Sequence, residues 1–170
     1  MKKNQIKIYL SPVLFACIMT TSCGIYSFTG ASYGAAKTVS IDYFQNIAPI
    51  VIPMLGTTFN EALREKFVKQ TPLTLVTKDA DLEFEGEIRD YSVSSIAVTA
   101  DEIASQNRLT IKVHVKFTNK LDEKWSFDKD FSAYEDFESS QSLNSVQDDL
   151  IKTIVDKLIE DIFNSSVANW

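Results

Sequence analysis

Apolar and polar residues alternate along most of the chain beyond residue 36, a pattern typical of β-strands that bury one face. The alternation predicts strands in five segments, residues 37–46, 73–77, 81–99, 107–120 and 124–137. The last three follow one another through short connections. We therefore expect them to form an antiparallel meander with one face exposed to water.

The same alternation predicts which side chains point into the core. The expected inward positions are, in chain order, Val39, Ile41 and Tyr43; then Leu82, Phe84, Gly86 and Ile88; then Leu109, Ile111, Val113, Val115 and Phe117; and finally Trp125, Phe127 and Phe131. The residues between them are mostly charged or hydroxylated, as on the wet face of a sheet.

Two segments show helical spacing instead. The first is predicted at about residues 58–69, where a capping box of Thr58 and Glu61 marks the start and Pro72 prevents continuation. Its apolar residues recur every four positions, at Phe59, Leu63 and Phe67. An apolar connection containing Pro49 and Pro53 precedes this helix.

The second helical segment lies near the end of the chain and is strongly amphipathic. Two adjacent apolar columns run through Leu150/Ile151, Ile154/Val155, Leu158/Ile159 and Ile162/Phe163. A stripe this broad must be covered by the sheet or by a partner.

These elements predict an α+β fold. We expect a two-layer sandwich in which a mostly antiparallel or mixed sheet of about four to five strands carries two α-helices on one face. The expected order is β-α-β-β-β-β-α. The domain is expected to span residues 37–170, with no internal repeat.

The first 22 residues have the layout of a secretory signal peptide. A short basic region with Lys2, Lys3 and Lys7 precedes about a dozen apolar residues, fewer than the roughly 20 that a membrane-spanning helix needs. Small residues then lead into Cys23, as in the lipobox of bacterial lipoproteins. We expect cleavage before Cys23, acylation of its thiol, and a lipidated tether over residues 23–36.

Cys17 is the alternative acylation site. It has Leu14 three residues before it, the position that a lipobox usually fills with Leu, whereas Cys23 has Thr20 there. Cleavage at Cys17 would shorten the apolar region and leave Ile18 and Met19 exposed, which favours Cys23. With Cys17 removed, the mature chain has no disulfide and no cysteine metal ligand.

The charge balance argues against nucleic acid as a partner. The chain holds 17 basic and 23 acidic residues, and three of the lysines precede residue 22, so the net charge moves from −6 to −9 for the remainder. Binding to phosphate backbones requires clustered Lys and Arg instead.

No motif indicates an enzyme, a metal site or a cofactor. His114 is the single histidine, so neither a histidine metal cluster nor a standard triad is supported. Glu83, Glu85 and Glu87 share a strand face and could suggest paired acids for hydrolysis. We expect them instead to face Lys112, His114 and Lys116 across the sheet as structural ion pairs.

Several stretches, taken in their order and spacing, resemble the LptE family of lipopolysaccharide-assembly lipoproteins in Gram-negative outer membranes. They are SCGIYSFTGAS, KTVSIDYFQNIAPIVIP, TFNEALREKF, DLEFEGEI, QNRLTIKVHVKFTN and DIFNSSVANW. None of these stretches is a catalytic signature.

The resemblance implies a non-enzymatic role. Members of the family plug the lumen of the LptD β-barrel, assist its assembly and help to deliver lipopolysaccharide to the outer leaflet. Acyl chains such as palmitate hold members of the family at the outer membrane. Direct binding of lipopolysaccharide would need cations for its phosphates, and the candidates here are Arg108, Lys112 and Lys116. The acidic balance of the chain argues against strong phosphate binding.

A second resemblance leads to a different function. The βα opening followed by a strand is similar to small periplasmic lipoproteins related to the N-terminal domain of TolB, some of which dock on cell-wall synthases and activate them. The two readings differ in the partner: an outer-membrane β-barrel in one, a cell-envelope enzyme in the other.

Overall fold

A computed structural model describes residues 35–96 and 106–168 of the chain. Within these two ranges the elements are β1 (Thr38–Ile41), β2 (Gln45–Asn46), α1 (Pro53–Gln70), β3 (Thr74–Leu75), β4 (Leu82–Ile96), β5 (Gln106–Asn119), β6 (Phe127–Glu138) and α2 (Leu143–Phe163). A 3₁₀ turn, Glu123–Trp125, precedes β6, and a π-helical turn, Asn164–Ala168, extends α2.

The strands in the described residues form one six-stranded mixed sheet. Its order is β3-β1-β4-β5-β6, and β2 pairs with β4 on the same side as β1. The short strands β1, β2 and β3 are joined by parallel pairings, whereas β4, β5 and β6 form the expected antiparallel meander. The predicted α+β class is confirmed, with six strands in place of four or five.

Both helices cover one face of this sheet and enclose the core. The inward residues of β4 and β5 are almost fully buried and form a single cluster with Phe59, Leu63 and Phe67 of α1. The apolar columns of α2 contribute Ile151, Ile154, Val155, Leu158, Ile159, Ile162 and Phe163 to the same cluster. The broad stripe on α2 is therefore covered by the sheet and by α1.

A β-bulge shifts the alternation in the middle of β4. Ile88 pairs with Val113 and Asp90 with Lys112, so Arg89 is the extra residue. Beyond it the inward positions change from even to odd numbers, and Tyr91 becomes buried. Its hydroxyl donates a hydrogen bond of 3.2 Å to Gln147 of α2.

The predicted first strand is in fact two short strands. The chain leaves the ladder after Ile41, and Tyr43, predicted to be inward, is 58% exposed, whereas Phe44 is fully buried. The buried side chain of Asn60 explains the break. Its amide accepts from the Phe44 N–H at 2.8 Å and donates to the Phe44 carbonyl at 3.0 Å, in place of a neighbouring strand.

Two further expectations were wrong in detail. Helix α1 begins at Pro53, five residues before the predicted start, because Pro is favoured in the first turn of a helix. Thr58 and Glu61 therefore lie inside the helix and do not form the predicted capping box. Trp125 was predicted to be inward on the last strand. It lies in the 3₁₀ turn before β6 and is 40% exposed.

Candidate interaction surfaces

The open face of the sheet carries a lattice of alternating charges. In the β4–β5–β6 register, Lys116 lies between Glu85 and Asp128. In the next row His114 lies between Glu87 and Asp130. Each basic residue of β5 in these rows thus has an acidic neighbour on both sides. The predicted pairing of the two charged rows on the wet face is confirmed.

Ion pairs join these rows. Lys116 Nζ lies 2.7 Å from a carboxylate oxygen of Glu85, and Lys120 Nζ lies 2.7 Å from Glu83. The hydrogen bond to each carboxylate is the main reason that the pKa values of both lysines are raised. Such exposed pairs contribute at most about 1 kcal/mol each, so they shape the surface more than they stabilise the fold.

His114 contacts two carboxylates of β6. Its Nε2 lies 2.9 Å from Asp128 and its Nδ1 lies 2.9 Å from Asp130. The hydrogen bond with His114, together with the positive charge of Arg89, lowers the pKa of Asp130. Within residues 35–96 and 106–168, no three His, Cys, Asp or Glu side chains converge as metal ligands would.

Arg108 is held firmly at the far end of the lattice. Its guanidinium donates two hydrogen bonds to Asp136, of 2.7 and 2.9 Å, and lies 3.6 Å from the centre of the Tyr134 ring. The bidentate hydrogen bonds lower the pKa of Asp136 and raise that of Arg108. Two of the three residues predicted to meet lipopolysaccharide phosphates, Arg108 and Lys116, therefore already neutralise carboxylates.

Lys112 is placed differently from the other two. It is half-buried between Asp90 of β4 and Ser132 of β6, and it makes no ion pair with any residue in the described part of the chain. The strand brings Arg108, Lys112 and Lys116 onto one face, at every fourth position of β5, with Thr110 and His114 between them. Cys23, the predicted acylation site, lies outside the described residues.

The row of glutamates borders a small depression of about 270 Å³, which Glu83 and Glu85 line together with Asp42, Asp79 and Lys78. Both glutamates are already ion-paired, Glu83 with Lys120 and Glu85 with Lys116. A hydrolase would need one free acid beside one ionised partner. The geometry instead ties each carboxylate to its own lysine.

An exposed apolar surface lies where the chain passes from the edge of β4 into α1. Ile47, Ile50, Val51 and Met54 are between 37% and 59% exposed, in the connection from β2 into the first turn of α1. We name this segment, residues 47–54, the apolar connection. Its apolar character is visible in the sequence, which predicts no role for it. The sequence feature that could have indicated a binding surface is the absence of any charged residue between Asp42 and Glu61.

Two polar residues position these surfaces. Asn60 of α1 fixes the turn at Phe44 through its two hydrogen bonds to the Phe44 backbone, and a further hydrogen bond of 2.8 Å from its amide to the Gly56 carbonyl of the same helix holds its side chain in place. Asp81 accepts hydrogen bonds from the N–H groups of Lys37 and Thr38 and from the Thr38 hydroxyl. These bonds lower the pKa of Asp81 and fasten the start of β1 to the start of β4.

No helix within the described ranges is long and apolar enough to cross a membrane.

The fold is shared with solved structures of bacterial proteins at low sequence identity. A minor lipoprotein from Acinetobacter baumannii matches with a TM-score of 0.52 and 12% identity, over 76% of this chain and 91% of that protein. A hypothetical protein from Chlamydia trachomatis matches with a TM-score of 0.55 and 11% identity, over 79% and 100%. No curated protein sequence matches this chain. The class is thus a two-layer α+β domain with one open, polar sheet face.

A comparison of the sequence with protein-family models identifies the family of this chain. The model of the LptE family, described as lipopolysaccharide-assembly, matches residues 36–166. That range includes every strand and both helices described above, so the chain belongs to the LptE family. Membership gives the protein a role in lipopolysaccharide assembly.

Proposed function

We propose that this protein is a lipoprotein of the outer membrane that plugs an LptD-type β-barrel, assists its assembly and so supports the insertion of lipopolysaccharide into the outer leaflet. The observation that carries the proposal is the family match over residues 36–166. Acyl chains on Cys23 would hold the domain at the inner leaflet. Two or three chains give stable anchoring, since each buried methylene contributes about 0.8 kcal/mol.

The charge lattice suits a barrel lumen. Lumens of outer-membrane barrels are polar, in contrast to their lipid-facing exteriors. A sheet face with both signs of charge interspersed can exchange hydrogen bonds with such a wall at many points, and its internal ion pairs, such as Lys116 with Glu85, leave little net charge to repel it. The role is structural, and we propose no catalysis.

Direct contact with lipopolysaccharide forms the finer part of the proposal. Lys112 is the cation of the lattice that is best placed for a phosphate, because its side chain has no carboxylate bound to it among the described residues. Arg108 and Lys116 would have to share their charge with Asp136 and Glu85. We therefore expect weak, local binding of phosphates at the middle of β5.

Depletion of the protein tests the function. We expect surface lipopolysaccharide to fall and the barrel partner to accumulate in a misfolded form, with both effects reversed by the wild-type gene. The barrel should also co-purify with the full-length protein in detergent. Unchanged surface lipopolysaccharide together with normal barrel folding would end the proposal. Co-purification with a peptidoglycan synthase instead would support the alternative function as an enzyme activator.

A further inference from the structure

Strand β4 extends beyond its parallel partners and leaves part of one edge open. β1 pairs with residues 82–84 and β2 with Glu87 and Ile88, while β5 occupies the opposite edge as far as Ile96. Within the described residues, no strand pairs with the outer edge of residues 90–96. Alternate residues of such an edge direct unpaired backbone N–H and C=O groups outward, ready for another strand. We name this segment the open edge.

The open edge lacks the protection that the other long edge carries. β6 bears Asp128, Lys129 and Asp130 near its start, and Lys157 of α2 donates a hydrogen bond of 3.2 Å to the Tyr134 carbonyl. Charges and covering side chains are the usual means by which proteins prevent strand addition. The open edge carries one charge, Asp90 at its start beside the bulge, and none from Tyr91 to Ile96, where Val93 is 43% exposed.

The apolar connection lies at one end of the open edge. The N–H of Ile47 donates a hydrogen bond of 2.9 Å to the carbonyl of Ile88, so this connection begins where the open edge begins. Ile47, Ile50 and Val51 are each more than half exposed. A strand entering beside β4 would continue the line of β2 and could bury apolar side chains against this connection.

We infer that the open edge of β4 is a site of strand addition, where an extended, uncharged segment of the barrel partner pairs with residues 90–96 as a seventh strand. This inference rests on the proposed function for the identity of the partner. The chemistry of the occupant follows from the edge: backbone groups to pair, no charge beyond Asp90 at its start, and apolar side chains at alternate positions to cover Val93.

The test combines hydrogen exchange with one matched pair of substitutions, in the full-length protein purified with and without its barrel. We expect the backbone amides of 90–96 to exchange more slowly in the complex than in the free protein. Val93→Lys places a charge in the new interface and should weaken the complex about tenfold, equivalent to about 1.4 kcal/mol. Val68→Lys is the control, because Val68 is 59% exposed on α1, away from the edge.

The outcomes separate this inference from the function on which it rests. A stable complex in which 90–96 exchanges as in the free protein, and in which both lysine variants bind alike, would overturn the inference and leave the function intact. Failure of any barrel to co-purify would overturn both. Protection of 90–96 that rises with concentration of the free protein would show pairing between two copies, and would replace the inferred partner.

Discussion

At the scale of single residues, two residues inside the fold, one polar and one small, determine where the buried Phe44 packs. Asn60 and Gly86 both contact Phe44. Asn60 forms hydrogen bonds with its backbone, and Gly86 leaves room for its ring. Asn60 belongs to no apolar pattern in the sequence, and Gly86, although expected to face inward, has no side chain that would predict its contact with Phe44. Each leads to a test with a matched control.

Replacing Asn60 with Leu should lower the free energy of unfolding by about 3 kcal/mol. The substitution keeps the volume but leaves the N–H and carbonyl of Phe44 buried without partners, and each unsatisfied group costs about 1–3 kcal/mol. Urea unfolding followed by circular dichroism measures the change. Asn144→Leu, on the exposed start of α2, should change the value by no more than about 0.5 kcal/mol. Equal effects of the two variants would contradict this role of Asn60.

Replacing Gly86 with Ala should destabilise the fold by about 1–3 kcal/mol through overpacking. A Cβ at this position would lie 2.2 Å from the carbonyl oxygen of His114 and 2.3 Å from the Phe44 ring. Gly56→Ala is the control, since its Cβ would meet only Tyr43 at 3.4 Å and Asn46 at 4.0 Å. At Gly56, the fourth residue of α1, that change should stabilise by up to about 1 kcal/mol. Thermal unfolding of both variants measures the two changes in stability, which should have opposite signs.

At the scale of elements, the long strands and α2 follow their hydrophobic patterns, whereas the short strands depend on tertiary contacts. β1 contains four residues and is fixed at its start by Asp81. Because this carboxylate accepts its hydrogen bonds only in the folded state, the attachment of β1 depends on pH.

Asp81→Asn should destabilise the protein at neutral pH, and the difference from wild type should shrink in acid. The folded pKa of Asp81 lies below its unfolded value because of the hydrogen bonds from Lys37 and Thr38. Its stabilising contribution is therefore complete above the unfolded pKa of about 3.9 and is lost as the pH falls through the folded pKa.

Urea unfolding from neutral pH to about pH 3 measures this difference, across the unfolded pKa range of Asp. Asp148→Asn, exposed on α2, serves as the control and should change the free energy of unfolding little. A destabilisation by Asp81→Asn that stays unchanged over the whole pH range would contradict the assignment.

At the scale of the whole molecule, the two helices shield one face of the sheet and leave the charge lattice of the other face free for partners. The lattice balances most of its charge internally, so its middle residue, Lys112, is the position from which charge is available. The proposed function also requires the anchor that the sequence predicts at Cys23, which lies outside the described residues.

Lys112→Ala should weaken binding of purified lipopolysaccharide about fivefold, equivalent to roughly 1 kcal/mol for one exposed charge pair. Lys152→Ala, exposed on α2, should leave binding unchanged. Fluorescence titration with labelled lipopolysaccharide in detergent measures both. If the two variants bind equally well, the sheet face is not where phosphates are held.

Cys23→Ala should abolish acylation and release the protein from the membrane fraction. Incorporation of labelled palmitate and fractionation of cells measure the two effects, and Cys17→Ala is the control that should change neither. Retained acylation in Cys23→Ala with loss in Cys17→Ala would move the anchor to Cys17.

The sequence by itself determined the long elements of this protein. Alternation over ten or more residues, as from Leu109 to Phe117, can be satisfied only by a strand with one buried face, and the double column of α2 only by a covered helix. That the glutamate row of β4 and the basic row of β5 share one face followed from the same reasoning, whereas the register that pairs Glu85 with Lys116 came from the structure. The family resemblance rested on these same stretches.

Only the tertiary structure decided the break after Ile41, the bulge at Arg89, the parallel pairing of the short strands and the open edge of β4. Each depends on groups far apart in the chain: Asn60 bonds a backbone 16 residues away, and Asp81 bonds one 43 residues away. Local sequence patterns do not predict such contacts, because hydrogen bonds between distant residues form only when packing brings those residues together. The edges of a sheet are set in the same way, by where neighbouring strands end.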